Sequence, residues 1–329
     1  MTQPSSPIVD LAGARFDYVT IGHVTRDQVE RSPGGTVAQP GGGAFYSALQ
    51  AARLGLRTLI VTQGVPGEIE ELLAPYRDEL DVHVIPAEHT TTLSTQGSGP
   101  TRSQRVLAWA GTILQPIEVN ASILHLAPIA RETPFSWRGE ADFVGITPQG
   151  LIRRWEEHHS VPLVQLDAGS LLGDTPTVQF DRDPLPGEIS SVDLDPALLP
   201  ARFDAAVISE QECHSAHALF AAAEQHGAHV AVTAGSRPTT VHLCDPGTGP
   251  QVVQTAIPRV SAVRDDLGAG DVFAAAFFVA LAAGRPVLDA AMFGNAAATV
   301  RIAGVGPGAI GERETIEAFT HASETGWQT

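Results

Sequence analysis

The sequence predicts an α/β fold built on a mostly parallel central sheet with helices on both faces, and three observations carry that expectation. First, strand-like apolar runs recur near 57–62, 81–85, 123–127, 141–146, 162–166, 204–208 and 228–233, with helical stretches at 66–80, 149–159, 211–226 and 286–303 lying between many of them. Such alternation is how parallel strands are joined, because each crossover needs a covering element. Second, 329 residues that are 43% hydrophobic and 17% charged can fill a large core, as one large domain with an appendage or as two. Third, a glycine-rich turn at 265–271, Asp-Asp-Leu-Gly-Ala-Gly-Asp, runs into a segment apolar on every side, 272–283, which reads as a helix buried in that core. The segment is too short to span a bilayer, which takes roughly 20 apolar residues.

In chain order, residues 1–7 read as a loose leader, and no basic segment followed by an apolar run suggests a secretory signal. Phe16–Ile21 reads as the first buried strand, with Asp27 a few residues beyond its end. Ligands bind at the carboxyl ends of strands in open α/β sheets, and an ionised carboxylate accepts two hydrogen bonds, so Asp27 is a candidate for gripping a substrate hydroxyl. Three glycines, Gly41, Gly42 and Gly43, allow a close backbone approach before a small-residue helix that Gly55 should close. The segment 88–115 breaks the α/β pattern. It is rich in Thr, Ser and Gly, then carries Arg102, Gln104 and Arg105 before an apolar run, and reads as a hairpin standing off the main sheet. Residues 168–202, with recurrent Asp and Pro, read as a surface excursion.

A formal charge of −17 argues against nucleic acid or an anionic membrane surface as partner, since both are held by clustered Lys and Arg. Two cysteines, Cys213 and Cys244, make no disulfide framework and suit a reducing cytoplasm. Cys213, His214 and His217 lack a fourth ligand for zinc. No Gly-x-x-x-x-Gly-Lys-Ser/Thr loop and no Gly-x-Ser-x-Gly elbow occurs. A Gly-x-Gly-x-x-Gly match at 306–311 lies too close to the end of the sequence for a dinucleotide-binding unit, so a nicotinamide oxidoreductase has little else behind it and the match reads as a turn.

The stretch 265–271 carries the chemistry. Main-chain N–H groups of Gly268, Ala269 and Gly270, with the first turn of the following helix, form a seat for an anion at the positive end of the helix dipole. Asp271 beside it could take the proton from a hydroxyl attacking a phosphoryl group, a reaction in which positioning and charge stabilisation supply most of the catalysis. An ordinary acidic first turn has the same spacing.

These residues resemble the ribokinase or PfkB carbohydrate kinase family over nearly the whole chain. The family signature Asp-Thr-x-Gly-Ala-Gly-Asp is similar to 265–271, and Gly-Gly followed by a small-residue helix ending Ala-Arg-Leu-Gly is matched by 41–55. The resemblance implies a ribokinase-like three-layer α/β/α domain spanning 1–329 with a small β lid from about 24–40 and 88–115. It implies ATP-dependent phosphoryl transfer to a hydroxyl of a sugar or polyol, with Mg2+ as the metal, and it admits a bound K+ and a homodimer through the lid. Asp271 falls at the catalytic base, with Gly268, Ala269 and Gly270 at the anion hole. Asp27, Gly41, Gly42, Gly43 and Tyr46 fall at the acceptor, with Arg102 and Arg105 on the lid. Thr233, Gly235, Asn295 and Asp265 fall at the nucleotide, and Glu212 at Mg2+. The run 102–105 with Gln149, Gly150 and Arg153 looks closest to a lesser branch that includes inositol kinase-like members. Four positions depart from the family pattern: Leu267 for a hydroxyl residue, Tyr46 and Ser209 for Asn, and Pro238 for Gly. The alternative is a kinase-fold protein that binds a ligand or partner without turnover.

Overall fold

The computed structural model describes residues 9–10, 14–31, 35–113, 117–132, 137–155, 187–244, 249–260, 262–322 and 327–328. Nine strands form the path of the main sheet: β1 (Phe16–Ile21), β4 (Thr58–Gly64), β5 (Asp81–Pro86), β8 (Ile117–Leu126), β9 (Trp137–Ile146), β12 (Ala205–Ser209), β13 (His229–Ala234), β14 (Arg237–Leu243) and β15 (Gln251–Thr255). Their spatial order is β15-β14-β13-β12-β9-β8-β1-β4-β5, and Val9–Asp10 adds a short pairing to β8. From β13 to β5 every pairing is parallel, whereas β14 and β15 are added antiparallel at one edge.

Helices α1 (Gly43–Arg53), α4 (Ala269–Ala282) and α5 (Val287–Ile302) pack one face of the sheet, and α3 (His217–His226) packs the other. The core helix α4 is apolar all round because it is enclosed: Val272 to Ala280 are all buried, between α1, α5 and the sheet. No helix among the described residues is long and apolar enough to cross a membrane.

A second sheet of six strands stands apart, in the order β10-β11-β7-β6-β2-β3: β2 (Thr25–Arg31), β3 (Gly35–Gly41), β6 (Thr92–Gln96), β7 (Ser103–Ala108), β10 (Arg153–Trp155) and β11 (Gly187–Ser191). The hairpin expected within 88–115 is present as β6 and β7. The sheet is wider than the two lid segments expected from sequence, because β10 and β11 extend it.

Three sequence expectations need correction. The helix expected at 149–159 is a short 3-10 turn, Pro148–Ile152, followed by strand β10, and 156–159 lies outside the described residues. Gly150 makes the reason visible: its N–H bonds Pro128 O at 2.8 Å, tying the segment to the end of β8 instead of into a helix. The helix expected at 66–80 stops as α2 (Pro66–Leu73) and passes into a 3-10 turn at Ala74–Tyr76, where Pro75 lacks the N–H to continue it. The stretch 211–226 likewise opens on a 3-10 turn before α3. The strand expected at 162–166 and most of the excursion at 168–202 lie outside the described residues.

Candidate active site

One cleft gathers residues from both sheets and from the start of α4. Its walls include Asp27 and Gly42, Arg102 and Gln104 of the second sheet, Gln149 and Arg153 of the connection from β9, Ser209, Glu212 and Thr233 of the main sheet, and the whole run 266–271. Two helices begin here. Asp271 Oδ1 lies 3.0 Å from where a side chain on Gly43, the first residue of α1, would start, so the glycine-rich segment and the 265–271 stretch meet as expected.

Asp271 stands in the first turn of α4, directly after an N-cap at Gly268 with φ 77°. That positive φ favours glycine, and a Cβ there would also lie 2.4 Å from the Tyr46 ring. The Ala269 N–H closes a turn onto Asp266 O at 3.3 Å, so Ala269 is less available than expected. The first-turn N–H groups of Gly270 and Asp271 have no preceding helical carbonyl to donate to, and they supply the dipole's positive end. Burial is the largest influence on the Asp271 carboxyl and pushes it up to about 7. Arg153 opposes this, Glu212 and Asp27 reinforce it, and Arg102 opposes it further. A base must be deprotonated to work, so kcat/KM should rise as pH passes through about 7 and level off above it. A pH series of kcat/KM checks this, and a profile flat from pH 5.5 to 8 would contradict it.

Asp27 is not at the end of a main-sheet strand. It lies within β2, in the second sheet, opposite Gln39 of β3 and beside Leu93 of β6. The carboxylate is only 2% exposed, and Thr25 Oγ1 donates to its Oδ1 at 2.6 Å. Burial raises its pKa to about 6 against the lowering effects of Thr25, Arg153 and Arg102. Gly41 is needed beside it: a Cβ there would sit 2.1 Å from Asp27 Oδ2.

Glu212 reaches the cleft with each carboxylate oxygen held, one by the Ser209 N–H at 2.8 Å and the other by Gln149 Nε2 at 3.0 Å. Ser209 therefore keeps its place through its main chain. No cluster of three or more His, Cys, Asp or Glu suited to a metal occurs among the described residues, the 213–217 group included. One oriented carboxylate suits Mg2+, which commonly takes one or two carboxylates with the substrate's own phosphates.

Other assignments move. Arg105 is exposed, because side chains alternate along β7 and it is Gln104 and Arg102 that turn inward. Arg102 is ion-paired with Asp266, whose other oxygen accepts from the Gly99 N–H at 2.8 Å. In the register Asp-Thr-x-Gly-Ala-Gly-Asp it is Asp266 that takes the hydroxyl position, while Leu267 fills the variable one and is buried. Tyr46 is 1% exposed, its ring packed over Gly268 with the Arg301 guanidinium 5.6 Å from its centroid, so it offers no open ring face to an acceptor.

Asp265 braces the loop from within. Burial opposes its charged form, but the N–H groups of Gly306 and Leu267 and the Arg301 guanidinium outweigh that and hold its pKa below the usual range. Asn295 is also engaged: Thr239 Oγ1 donates to its Oδ1 at 2.7 Å, and its Nδ2 donates to Thr255 Oγ1 and Ala256 O, both at 3.0 Å. These bonds tie α5 to the antiparallel edge of the sheet. Gly235 lies exposed at the tip of the β13–β14 hairpin, whereas Thr233 does line the cleft.

Sequence reading missed Arg301, fully buried and bonded to Leu267 O at 2.7 Å and Asp265 O at 3.1 Å. It also missed a buried row behind the cleft, where Thr147 Oγ1 meets His125 Nε2 at 3.0 Å and His125 Nδ1 meets the Tyr18 hydroxyl at 2.7 Å. Burial lowers the His125 pKa to about 3, so the imidazole stays neutral and serves as a fixed link.

The sequence profile of the pfkB family carbohydrate kinases matches residues 196–313, the part that carries Glu212, Thr233 and 265–271. No curated protein matches the chain in sequence. Among solved structures, a pyrophosphate-dependent kinase in the ribokinase family, complexed with a pyrophosphate analog and myo-inositol, is 18% identical with a TM-score of 0.66, over 92% of this chain and 99% of that one. Ribokinase of Arabidopsis thaliana, complexed with ribose and ATP, is 18% identical with a TM-score of 0.62, over 93% and 99%. Phosphofructokinase-2 of Escherichia coli, in complex with substrates and products, is 15% identical with a TM-score of 0.58, over 93% and 98%. At these identities the likeness establishes the fold, which is ribokinase-like. The resemblance drawn from the two signatures is borne out, and the reading of the chain as a carbohydrate kinase rests on the profile match together with that fold.

Proposed function

We propose that this ribokinase-fold chain, a pfkB-type carbohydrate kinase, transfers the terminal phosphoryl group of a phosphate donor to a hydroxyl of a neutral polyol or sugar. The observation that carries the proposal is the convergence of the buried Asp27 carboxylate and the half-buried Asp271 carboxylate on one cleft with the N-terminus of α4. Asp27 holds acceptor hydroxyls through its carboxylate oxygens. Asp271 accepts the proton of the attacking hydroxyl as its oxygen bonds to phosphorus, and the bond to the donor's bridging oxygen breaks with its electron pair staying on the donor. The main-chain N–H groups of Gly270 and Asp271 face the negative charge that spreads over the group in transit. Glu212 is the residue that would hold Mg2+, which supplies neutralisation of the donor's phosphate charge.

A neutral acceptor follows from the charges. The Asp27 carboxylate repels a phosphate on the acceptor, Arg105 points away from the cleft, and Arg102 is already paired with Asp266. The myo-inositol bound by the related pyrophosphate-dependent kinase favours an inositol-like compound. For the donor, ATP is the reading inherited from the family. Pyrophosphate is the second, favoured by the engagement of the whole Asn295 amide in bonds within the protein, which leaves Thr233 and Ser209 to face phosphates, with Glu212 holding Mg2+ beside them.

Steady-state kinetics on myo-inositol, ribose and fructose and on their monophosphates, each with ATP and with pyrophosphate, test the proposal. The expected result is the highest kcat/KM on a neutral compound. A preference for phosphorylated acceptors that Arg102→Ala abolishes would overturn the acceptor assignment.

A further inference from the structure

We propose that Arg153 is the cation that grips the phosphoryl group in transit and that Gln104 of the second sheet aims it. The inference rests on the phosphoryl-transfer reading and names a residue for it. Arg153 lies at the joint between the two sheets, just where the chain leaves β9 through a 3-10 turn and enters β10. Its guanidinium is anchored from both sides of that joint: one Nη donates to Ile129 O at 3.1 Å, next to the main sheet, and the other to Gln104 Oε1 at 2.9 Å, on β7. Gln104 is itself fixed, since its Nε2 donates to Thr95 Oγ1 of β6 at 3.1 Å.

Among the described residues, both hydrogen bonds of the Arg153 guanidinium end on neutral oxygens, so none of their carboxylates cancels its charge by direct contact. Two bonds also leave donors over from the five of a guanidinium, in a planar array suited to phosphate oxygens. The surroundings call for an anion-binding cation here. Burial lowers the Arg153 pKa, and Glu212, Asp271, Glu132 and Asp27 oppose that shift, so Arg153 stands in the field of both the acceptor carboxylate and the base. Arg102, the other arginine of the cleft, has its charge matched by direct contact with the Asp266 carboxylate. A phosphoryl group passing between donor and acceptor hydroxyl would leave Arg153 in place while its remaining donors closed on the transferring oxygens. Because Gln104 belongs to the second sheet, the grip is complete only when that sheet is seated as it is here.

The test uses Arg153→Gln and Arg153→Lys, with Arg105→Gln as a control for the same loss of charge at an exposed site. Two readouts are compared: kinetics on the best donor and acceptor, and calorimetric titration with inorganic pyrophosphate. For Arg153→Gln, kcat should fall on the order of a thousandfold while acceptor KM changes little. Its affinity for pyrophosphate should weaken by about tenfold or more. Arg153→Lys should recover only part of both, since an ammonium lacks the planar fork, and Arg105→Gln should behave as wild type. Exogenous guanidinium should partly restore turnover to Arg153→Ala, which a merely structural role would not allow. Wild-type kcat and pyrophosphate affinity in Arg153→Gln would overturn the proposal. If the wild-type protein transfers no phosphoryl group to any acceptor, the functional reading fails, and the titration alone decides the grip: affinity lost with Arg153 supports it, and affinity absent or independent of Arg153 overturns it.

Discussion

Asp271→Asn should lower phosphoryl transfer by about 100- to 10,000-fold, the range typical of a lost general base. The substitution keeps the size of the side chain beside Gly43 and removes only its capacity to take a proton. The folded protein should melt no lower than wild type. Burial lifts the carboxyl to about 7, with Arg153 opposing the shift. A carboxyl whose pKa is raised on folding contributes stability that is fully present below its unfolded value and lost as pH rises through the folded one. At pH 8 the charged Asp271 is therefore a cost that asparagine relieves, whereas below about pH 4 the two proteins should melt alike. Turnover and a melting curve at both pH values check the pair of expectations. Retained turnover would remove Asp271 from the chemistry, and a large drop in melting temperature at pH 8 would show that the carboxylate supports the fold.

Arg301→Leu should have the largest effect on stability, about 3–5 kcal/mol, as expected when one partner of a buried ion pair is removed. Arg301 is 0% exposed, and it holds three things at once: the Asp265 carboxylate at 3.3 Å, the Asp265 and Leu267 carbonyls, and one face of Tyr46. Without it, Asp265 loses its guanidinium partner while the N–H groups of Leu267 and Gly306 still donate to it. The loop that sets Gly268 and Gly270 would then lose its support from behind, so activity should fall along with stability. Urea unfolding followed by circular dichroism measures the effect. An unfolding midpoint close to wild type would mean that Asp265 and the loop are held by other means.

What the sequence made legible was local. The stretch 265–271 and the glycines 41–43 carry their meaning in adjacent residues, because a turn and a helix start are made by neighbours, and the structure brings both to one cleft. Asp27 was identified from spacing as lying just beyond the end of β1, and the lid segment 24–40 drawn from the family resemblance already contained it; nothing in the few residues between says by itself that the chain enters a second sheet there. Arg105 and Gln104 differ by one residue and face opposite ways. Strand register decides between them, and register is set by β6 across the sheet. Asn295 was singled out through the family resemblance as a nucleotide residue, and the partners it has in the structure, Thr239 and Thr255, are distant in sequence. Arg301 had a signal of its own, a charge after Ala-Ala-Ala-Thr-Val in a helix of small residues. A buried cation implies a partner, and Asp265, the first residue of the signature, was the nearest candidate.

The most direct test of the account is a 31P spectrum of the pure protein incubated with myo-inositol, Mg2+ and either ATP or pyrophosphate, run beside Asp271→Asn. The account predicts a new phosphomonoester resonance that grows with one of the donors in the wild type and is nearly absent in the variant. A correctly folded wild type that yields no phosphomonoester from myo-inositol, ribose or fructose with either donor, or a variant that yields as much as wild type, would contradict it.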